Sequence, residues 1–298
     1  MSKSNVQICA LQGGPCSMDQ EKNVQQHVQY LENAILQAPQ KPNIICFSEY
    51  TTIPSFACVE KKDYFTLAEE LDGPTTQAFA KIAKQHGVYL IYNIFEKRAE
   101  GLYYNSCPLL GPDGNFIKGY FIDGTETYVT EKLHLPNSLE PDGSLRNNEK
   151  FYFHPGKLPV IFPTPWGNIA NIICWDKRFS ELWRTYGLKD VSIVFNPAAT
   201  WGGWRGETYA VEMRAMAMMN QYYVVGVGKA GLETCIKETD FAGGGIIVAP
   251  DGAILAQANP SPGKAIYANL CLEQIKQIRQ QTPIYRDRRP EIYQELLK

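Results

Sequence analysis

The chain has 298 residues, 44% of them hydrophobic and 20% charged, with a formal net charge of −2. That length can bury a sizeable core in one large α/β domain or two small ones. The balanced charge argues against a nucleic-acid partner, which favours a basic face, and no stretch reaches the roughly 20 apolar residues of a membrane span.

In chain order, residues 6–11 read as a strand. Residues 20–37 read as a helix with Val24, Val28, Leu31, Ala34 and Ile35 at helical spacing. A second strand, 43–47, is entered through Pro42. The turn Asp72-Gly73-Pro74 introduces a helix at 75–86, which Gly87 ends in a C-cap position. Residues 88–95 form a third strand, and Pro112-Asp113-Gly114 carries the chemistry of a hairpin turn. The second half repeats this plan with a strand at 168–174, a helix at 180–188, a strand at 191–195 and a helix at 207–220. A strand at 222–227 follows, then a hairpin at 245–256 turning at Pro250-Asp251-Gly252. The helix at 207–220 offers Ala210, Val211, Met213, Ala217 and Met218 for burial.

Two such halves predict an α/β pseudo-twofold sandwich, its sheets face to face and its helices outside. No low-complexity linker divides them, so residues 1–298 are read as a single domain. The polar tail, about residues 273–298, contains Arg286-Asp287-Arg288-Arg289-Pro290 and is expected to wrap a neighbouring subunit or the surface. Met1-Ser2-Lys3-Ser4-Asn5 leads into a strand-like run without the apolar region and cleavage site of a signal peptide, so a soluble cytoplasmic protein is expected.

The eight cysteines form no C-x-x-C pair, and the four histidines show no ligand spacing with one another or with the cysteines. No metal or other cofactor is therefore expected. Gly243-Gly244-Gly245 precedes a strand rather than opening a helix, so it does not fit a dinucleotide loop. Cys9, Cys46 and Cys271 lie in apolar strand-like runs, where a buried thiol is the ordinary reading.

Cys174 is different. It ends the apolar run Ile169-Ala170-Asn171-Ile172-Ile173 and is followed at once by the polar Trp175-Asp176-Lys177-Arg178. Glu49 ends a second apolar run, and Lys132 follows a third strand-like stretch. Alone, a strand-end cysteine is ordinarily core filler, such a glutamate a solvated strand end, and such a lysine a surface charge. Together they place an acid, an amine and a thiol where open α/β sheets gather ligands, at the carboxyl ends of strands. That combination suits a cysteine hydrolase that needs no histidine.

Phe47-Ser48-Glu49-Tyr50, Glu131-Lys132-Leu133-His134-Leu135-Pro136 and Ile172-Ile173-Cys174-Trp175-Asp176 resemble the three catalytic signatures of the nitrilase superfamily of carbon–nitrogen hydrolases. Glu149 with its flanking residues 148–156, and Phe195-Asn196-Pro197-Ala198, match as well, in the same order. The likeness extends from about Val6 to Tyr293. It implies a four-layer αββα sandwich with Cys174 as nucleophile and Glu49 as its general base. Lys132 would stabilise the tetrahedral intermediate together with the Trp175 backbone N–H, and Glu149 would position substrate and lysine. A nearby ammonium and helix N-terminal amides are expected to favour the thiolate, since a free thiol titrates near about 8.5. His134 shares a strand face with Lys132, which leaves a Cys–His pair as an alternative to a packing role.

Lys177 and Arg178 stand three and four places beyond the thiol, where N-carbamoyl amino acid amidohydrolases, including β-ureidopropionase-like enzymes, carry two arginines for the substrate carboxylate. Lysine keeps the charge but loses the bidentate fork, which shifts recognition toward Arg178. The alternative is that both cations make solvated salt bridges with Asp176 or Glu181. Asn196 either lines the pocket, as in relatives, or holds a turn. Trp201-Gly202-Gly203-Trp204-Arg205 reads as a pocket-edge loop.

The expected reaction is hydrolysis of an N-carbamoyl amino acid to the amino acid, carbon dioxide and ammonia. An aliphatic amide or N-carbamoylputrescine is the alternative substrate, and a non-catalytic binding protein on the same fold the alternative class. The resemblance also implies a homodimer or larger homo-oligomer.

Overall fold

The computed structural model describes residues 4–297, except the side chains of Trp204 and Leu297. The chain folds as the four-layer αββα sandwich, with two mixed sheets face to face. In the first sheet the strands run, edge to edge, Ala265–Cys271, Asn5–Leu11, Ile44–Phe47, Tyr89–Ile91, Leu102–Leu110 and Ile94–Ala99, and Val129–Glu131 also pairs with Leu102–Leu110. In the second the order is Ile254–Ala258, Gly245–Val248, Tyr223–Gly228, Val191–Ala198, Gly167–Asn171, Val160–Thr164, Gly119–Phe121 and Glu126–Thr127. Each sheet has three parallel strands at its heart, extended by antiparallel ones. The repeated plan in the sequence is therefore a repeated topology.

Strand alternation sorts the core into layers. Val6, Ile8 and Ala10 face inward to meet Ile169, Ile193, Phe195 and Val225 between the sheets. Cys9 and Leu11 face outward, onto the helices α1 (Gln20–Leu36) and α2 (Pro74–His86). On the far side, Ala170, Val194 and Val224 pack against Trp183 and Tyr186 of α3 (Ser180–Leu188) and Met213 and Ala217 of α4 (Trp204–Asn220). Gly87 ends α2 in the left-handed conformation (φ 60°) that glycine adopts without strain.

Some boundaries differ from expectation. The run at 88–95 breaks into Tyr89–Ile91 and Ile94–Ala99, because Asn93 turns its amide onto neighbouring strands at the site. On α1 the buried face is carried by Asn23 and His27 as well as Leu31, Ala34 and Ile35. His27 Nε2 accepts from the Gly14 backbone N–H at 3.0 Å, which gives a polar side chain a reason to be inside. Cys271 is exposed, since it lies at the end of a strand at the edge of its sheet. In the tail, α5 (Glu273–Gln281) buries Ile275, and the Tyr285 hydroxyl donates to the Asn220 carbonyl at the end of α4. Among the described residues, no helix is long and apolar enough to cross a membrane.

Candidate active site

Both sheets send the carboxyl ends of their parallel strands to one end of the sandwich. Glu49 lies two residues beyond Ile44–Phe47, and Cys174 three beyond Gly167–Asn171, which is shorter than the 168–174 strand expected. Lys132 directly follows Val129–Glu131. Turns rather than strands present the reactive groups. Tyr50 (φ 50°) and Cys174 (φ 42°) both adopt left-handed backbone, an uncommon state for residues with a Cβ that costs about 1–3 kcal/mol and gathers at functional sites. Tyr50 is held there by its N–H donating to Asn93 Oδ1 at 2.7 Å. Cys174 opens a 3₁₀ turn, Cys174–Arg178.

At the centre stands a dry ion triad. Lys132 Nζ lies 2.7 Å from Glu49 Oε1 and 2.7 Å from Glu149 Oε1, and all three side chains are buried. Asn105 Nδ2 donates to Glu49 Oε1 at 2.9 Å, and the Ala199 backbone N–H to Glu49 Oε2 at 3.1 Å, so both sheets orient this carboxylate. The Tyr50 hydroxyl donates to Glu149 Oε1 at 3.1 Å. Glu149 Oε2 is buried without a hydrogen-bond partner, and Glu149 lines the cavity.

The charge balance fixes the protonation states. Burial opposes the Lys132 charge, but Glu149 and Glu49 outweigh it and raise its pKa above the ordinary lysine value. Burial lifts the Glu149 carboxyl to about 7, with Lys132 acting against the rise and Glu49 adding to it. Burial, and then the Glu49 charge, push the Cys174 thiol up to about 12, although Lys177 and Lys132 pull the other way. This corrects the expectation of a resting thiolate. Burial and the Glu49 charge outweigh the two ammonium groups, so Cys174 is held as a thiol and must lose its proton during attack.

A narrow cavity of about 40 Å³ opens onto Cys174, Glu49 and Glu149. Trp175, Lys177, Arg178, Trp201 and Arg205 complete much of its wall. Lys177 is buried with Nζ 3.4 Å from the Cys174 carbonyl and 5.7 Å from the Tyr209 ring centroid. Arg178 pairs with Glu212 of α4 at 2.5 Å. Asn196 is not on the cavity wall. It is fully buried, donates to the Ile172 carbonyl at 2.5 Å, and accepts from the Tyr209 hydroxyl at 2.9 Å. The structure thus gives it the second of its two readings, holding the chain beneath the Cys174 turn. His134 lies outside the cavity, its Nδ1 2.7 Å from Asp176 Oδ1 and its ring stacked on Phe179 at 3.6 Å. Asp176 also accepts the His134 N–H at 2.8 Å and so ties the Lys132 strand end to the Cys174 turn.

Tyr50, Asn105 and Glu212 were not singled out from sequence. Asn105 had a signal, a buried amide within the apolar run Leu102–Leu110. Glu212 had one as well, a carboxylate one place before Met213 and three after Tyr209 on a helix that buries both. Tyr50 adjoins Glu49 but carried no signal of its own.

The sequence matches the family described as carbon–nitrogen hydrolase over residues 7–280. It is 32% identical over 227 residues to the omega-amidase NIT2 of Xenopus tropicalis, covering 76% of this chain and 77% of the relative. It is 30% identical over 308 residues to the N-carbamoylputrescine amidase of Oryza sativa subsp. japonica, covering 99% and 95%. Among solved structures, a carbon–nitrogen hydrolase from Helicobacter pylori G27 superposes with a TM-score of 0.84 at 27% identity, over 99% of both chains. The Nit3 protein of Saccharomyces cerevisiae, a nitrilase superfamily member, superposes with a TM-score of 0.77 at 23% identity, covering 95% and 96%. The chain belongs to the carbon–nitrogen hydrolase family and is a hydrolase of carbon–nitrogen bonds other than peptide bonds.

Proposed function

We propose that the protein hydrolyses an N-carbamoyl amino acid, with Cys174 as nucleophile, Glu49 as general base, Lys132 as oxyanion donor and Glu149 as the group that positions lysine and substrate. The thiol proton passes to Glu49 as sulfur attacks the carbamoyl carbon, and the carbonyl electron pair moves onto oxygen. Lys132 and the Trp175 backbone N–H face that oxyanion, each such donor being worth about 3 kcal/mol in a water-excluded site. Collapse expels the amino acid nitrogen, which takes the proton from Glu49, and leaves a carbamoyl thioester on Cys174. Water, deprotonated by Glu49, attacks the thioester carbon; the C–S bond breaks, the Cys174 sulfur takes the proton back from Glu49, and the released carbamic acid breaks down to carbon dioxide and ammonia.

One observation carries the substrate assignment. Lys177, Arg178 and Arg205 line the cavity beside Cys174, and Glu212, which pairs with Arg178, feels the charge of all three. A cavity of about 40 Å³ admits little more than the urea end of a substrate, so the carboxylate is left to meet these cations near the rim. The test compares kcat/KM for N-carbamoyl-β-alanine and for its decarboxylated analogue, ethylurea, with Cys174→Ala as control. Equal rates for the two refute the carboxylate site.

A second reading, N-carbamoylputrescine, is favoured by the full-length similarity to the rice enzyme and would use Glu212 for the substrate ammonium. Faster turnover of N-carbamoylputrescine than of N-carbamoyl-β-alanine selects it, and a simple aliphatic amide in the same panel tests plain amidase activity. We also propose a homodimer or larger assembly. Leu188, Met218, Met219, Ile292 and Leu296 are exposed on α3, α4 and the tail, and light scattering at monomer mass refutes the assembly.

A further inference from the structure

Outside the ion triad and the cavity wall lies a further buried cation. Lys229, directly after the strand Tyr223–Gly228, has a side chain with no exposed surface. Its Nζ lies 2.6 Å from Glu233 Oε1 and donates to the carbonyls of Tyr50 at 3.0 Å and Ile53 at 2.7 Å. Glu233 in turn accepts the Ser55 backbone N–H at 2.9 Å and the Cys16 backbone N–H at 2.7 Å. The Lys229 N–H donates to the Ala198 carbonyl, next to the Ala199 N–H that holds Glu49. Glu233 is therefore the carboxylate paired with Lys229.

A buried ion pair is seldom kept for stability alone, since well-packed apolar side chains often serve as well. Here the side chains of the pair also grip one segment of backbone, at Tyr50, Ile53 and Ser55, and the neighbouring Cys16. That segment holds Tyr50 in its left-handed conformation, and Tyr50 reaches Glu149.

We propose that Lys229 and Glu233 are positioning residues for the reaction: they fix residues 50–55 so that the Tyr50 hydroxyl is held on Glu149 and Glu49 on the Cys174 side of the cavity. The inference rests on the assignment of Cys174, Glu49 and Glu149 to the chemistry. Lys229→Met alone leaves Glu233 buried and unpaired and threatens folding. The paired variant Lys229→Met/Glu233→Gln removes both charges at similar volume. Its kcat, normalised to alkylatable Cys174, is expected to fall at least tenfold with KM changed less than threefold. The Tyr50 hydrogen bond lowers the Glu149 pKa, so its loss moves the acid limb of the kcat/KM profile to higher pH. Tyr50→Phe is expected to move that limb in the same direction, and adding it to the paired variant to move it no further. A paired variant with wild-type kcat and an unmoved limb, beside an inactive Cys174→Ala, overturns the positioning role alone. Turnover by Cys174→Ala overturns the site assignment and the positioning role with it.

Discussion

Replacing Lys132 by methionine isolates the ion triad. The ammonium makes contacts of 2.7 Å to Glu49 and 2.7 Å to Glu149, all with side chains at most 2% exposed. Hydrogen bonds to charged groups contribute about 1.5–3 kcal/mol each, so two give roughly 3–6 kcal/mol. Removing one partner of a buried ion pair costs about 3–5 kcal/mol by independent measure. The two ranges overlap near about 4 kcal/mol, or roughly 6 °C in Tm for a chain of this size.

The pH dependence gives the sharper test. Without Lys132 the Glu149 carboxyl loses the charge that holds its pKa down, so its folded value rises further above the unfolded one. A carboxyl raised on folding stabilises at low pH, and that contribution is lost as pH rises through the folded value. The deficit of Lys132→Met is therefore expected to be small at pH 5.5 and large at pH 8, measured by urea unfolding at each pH. Wild-type stability at pH 8, or a deficit larger at pH 5.5, refutes the triad as a charge-balanced unit. Turnover is expected to fall by about two to three orders of magnitude, the usual cost of losing an oxyanion donor.

Four further outcomes follow from the site. Because the Glu149 pKa is raised to about 7, kcat/KM is expected to fall as pH drops through that value, and Glu149→Gln to flatten the loss of stability seen from about pH 4.5 to 7 in the parent. Glu49→Gln removes a charge that raises the Cys174 pKa, so modification by methyl methanethiosulfonate at pH 8 speeds up while turnover collapses; slower modification refutes the electrostatic account. Arg178→Met is expected to raise KM for N-carbamoyl-β-alanine about tenfold or more and to leave ethylurea unaffected, as steady-state kinetics will show. His134→Gln, which loses only its Asp176 and Phe179 contacts, is expected to keep more activity than Lys132→Ala, and equal loss in both refutes this.

Period-two strands, helices with cap signals and Gly/Pro turns are local patterns, and the sequence alone was enough to read the layered α/β fold and its two-fold plan from them. Cys174, Glu49, Lys132 and Glu149 were legible for a related reason, because each sits in or beside a motif only a few residues long. Tertiary structure decided what those residues face. Glu212 lies on α4, 34 positions beyond Arg178, yet takes its guanidinium. Asn196, in a motif that pointed to the pocket, spends its amide on Ile172 and Tyr209. The protonation of Cys174 reversed as well, since a thiol's charge depends on the sum of distant carboxylates and ammonium groups and on burial, none of which is a local property. Local sequence determines which groups a turn presents; long-range packing determines their partners and their protons.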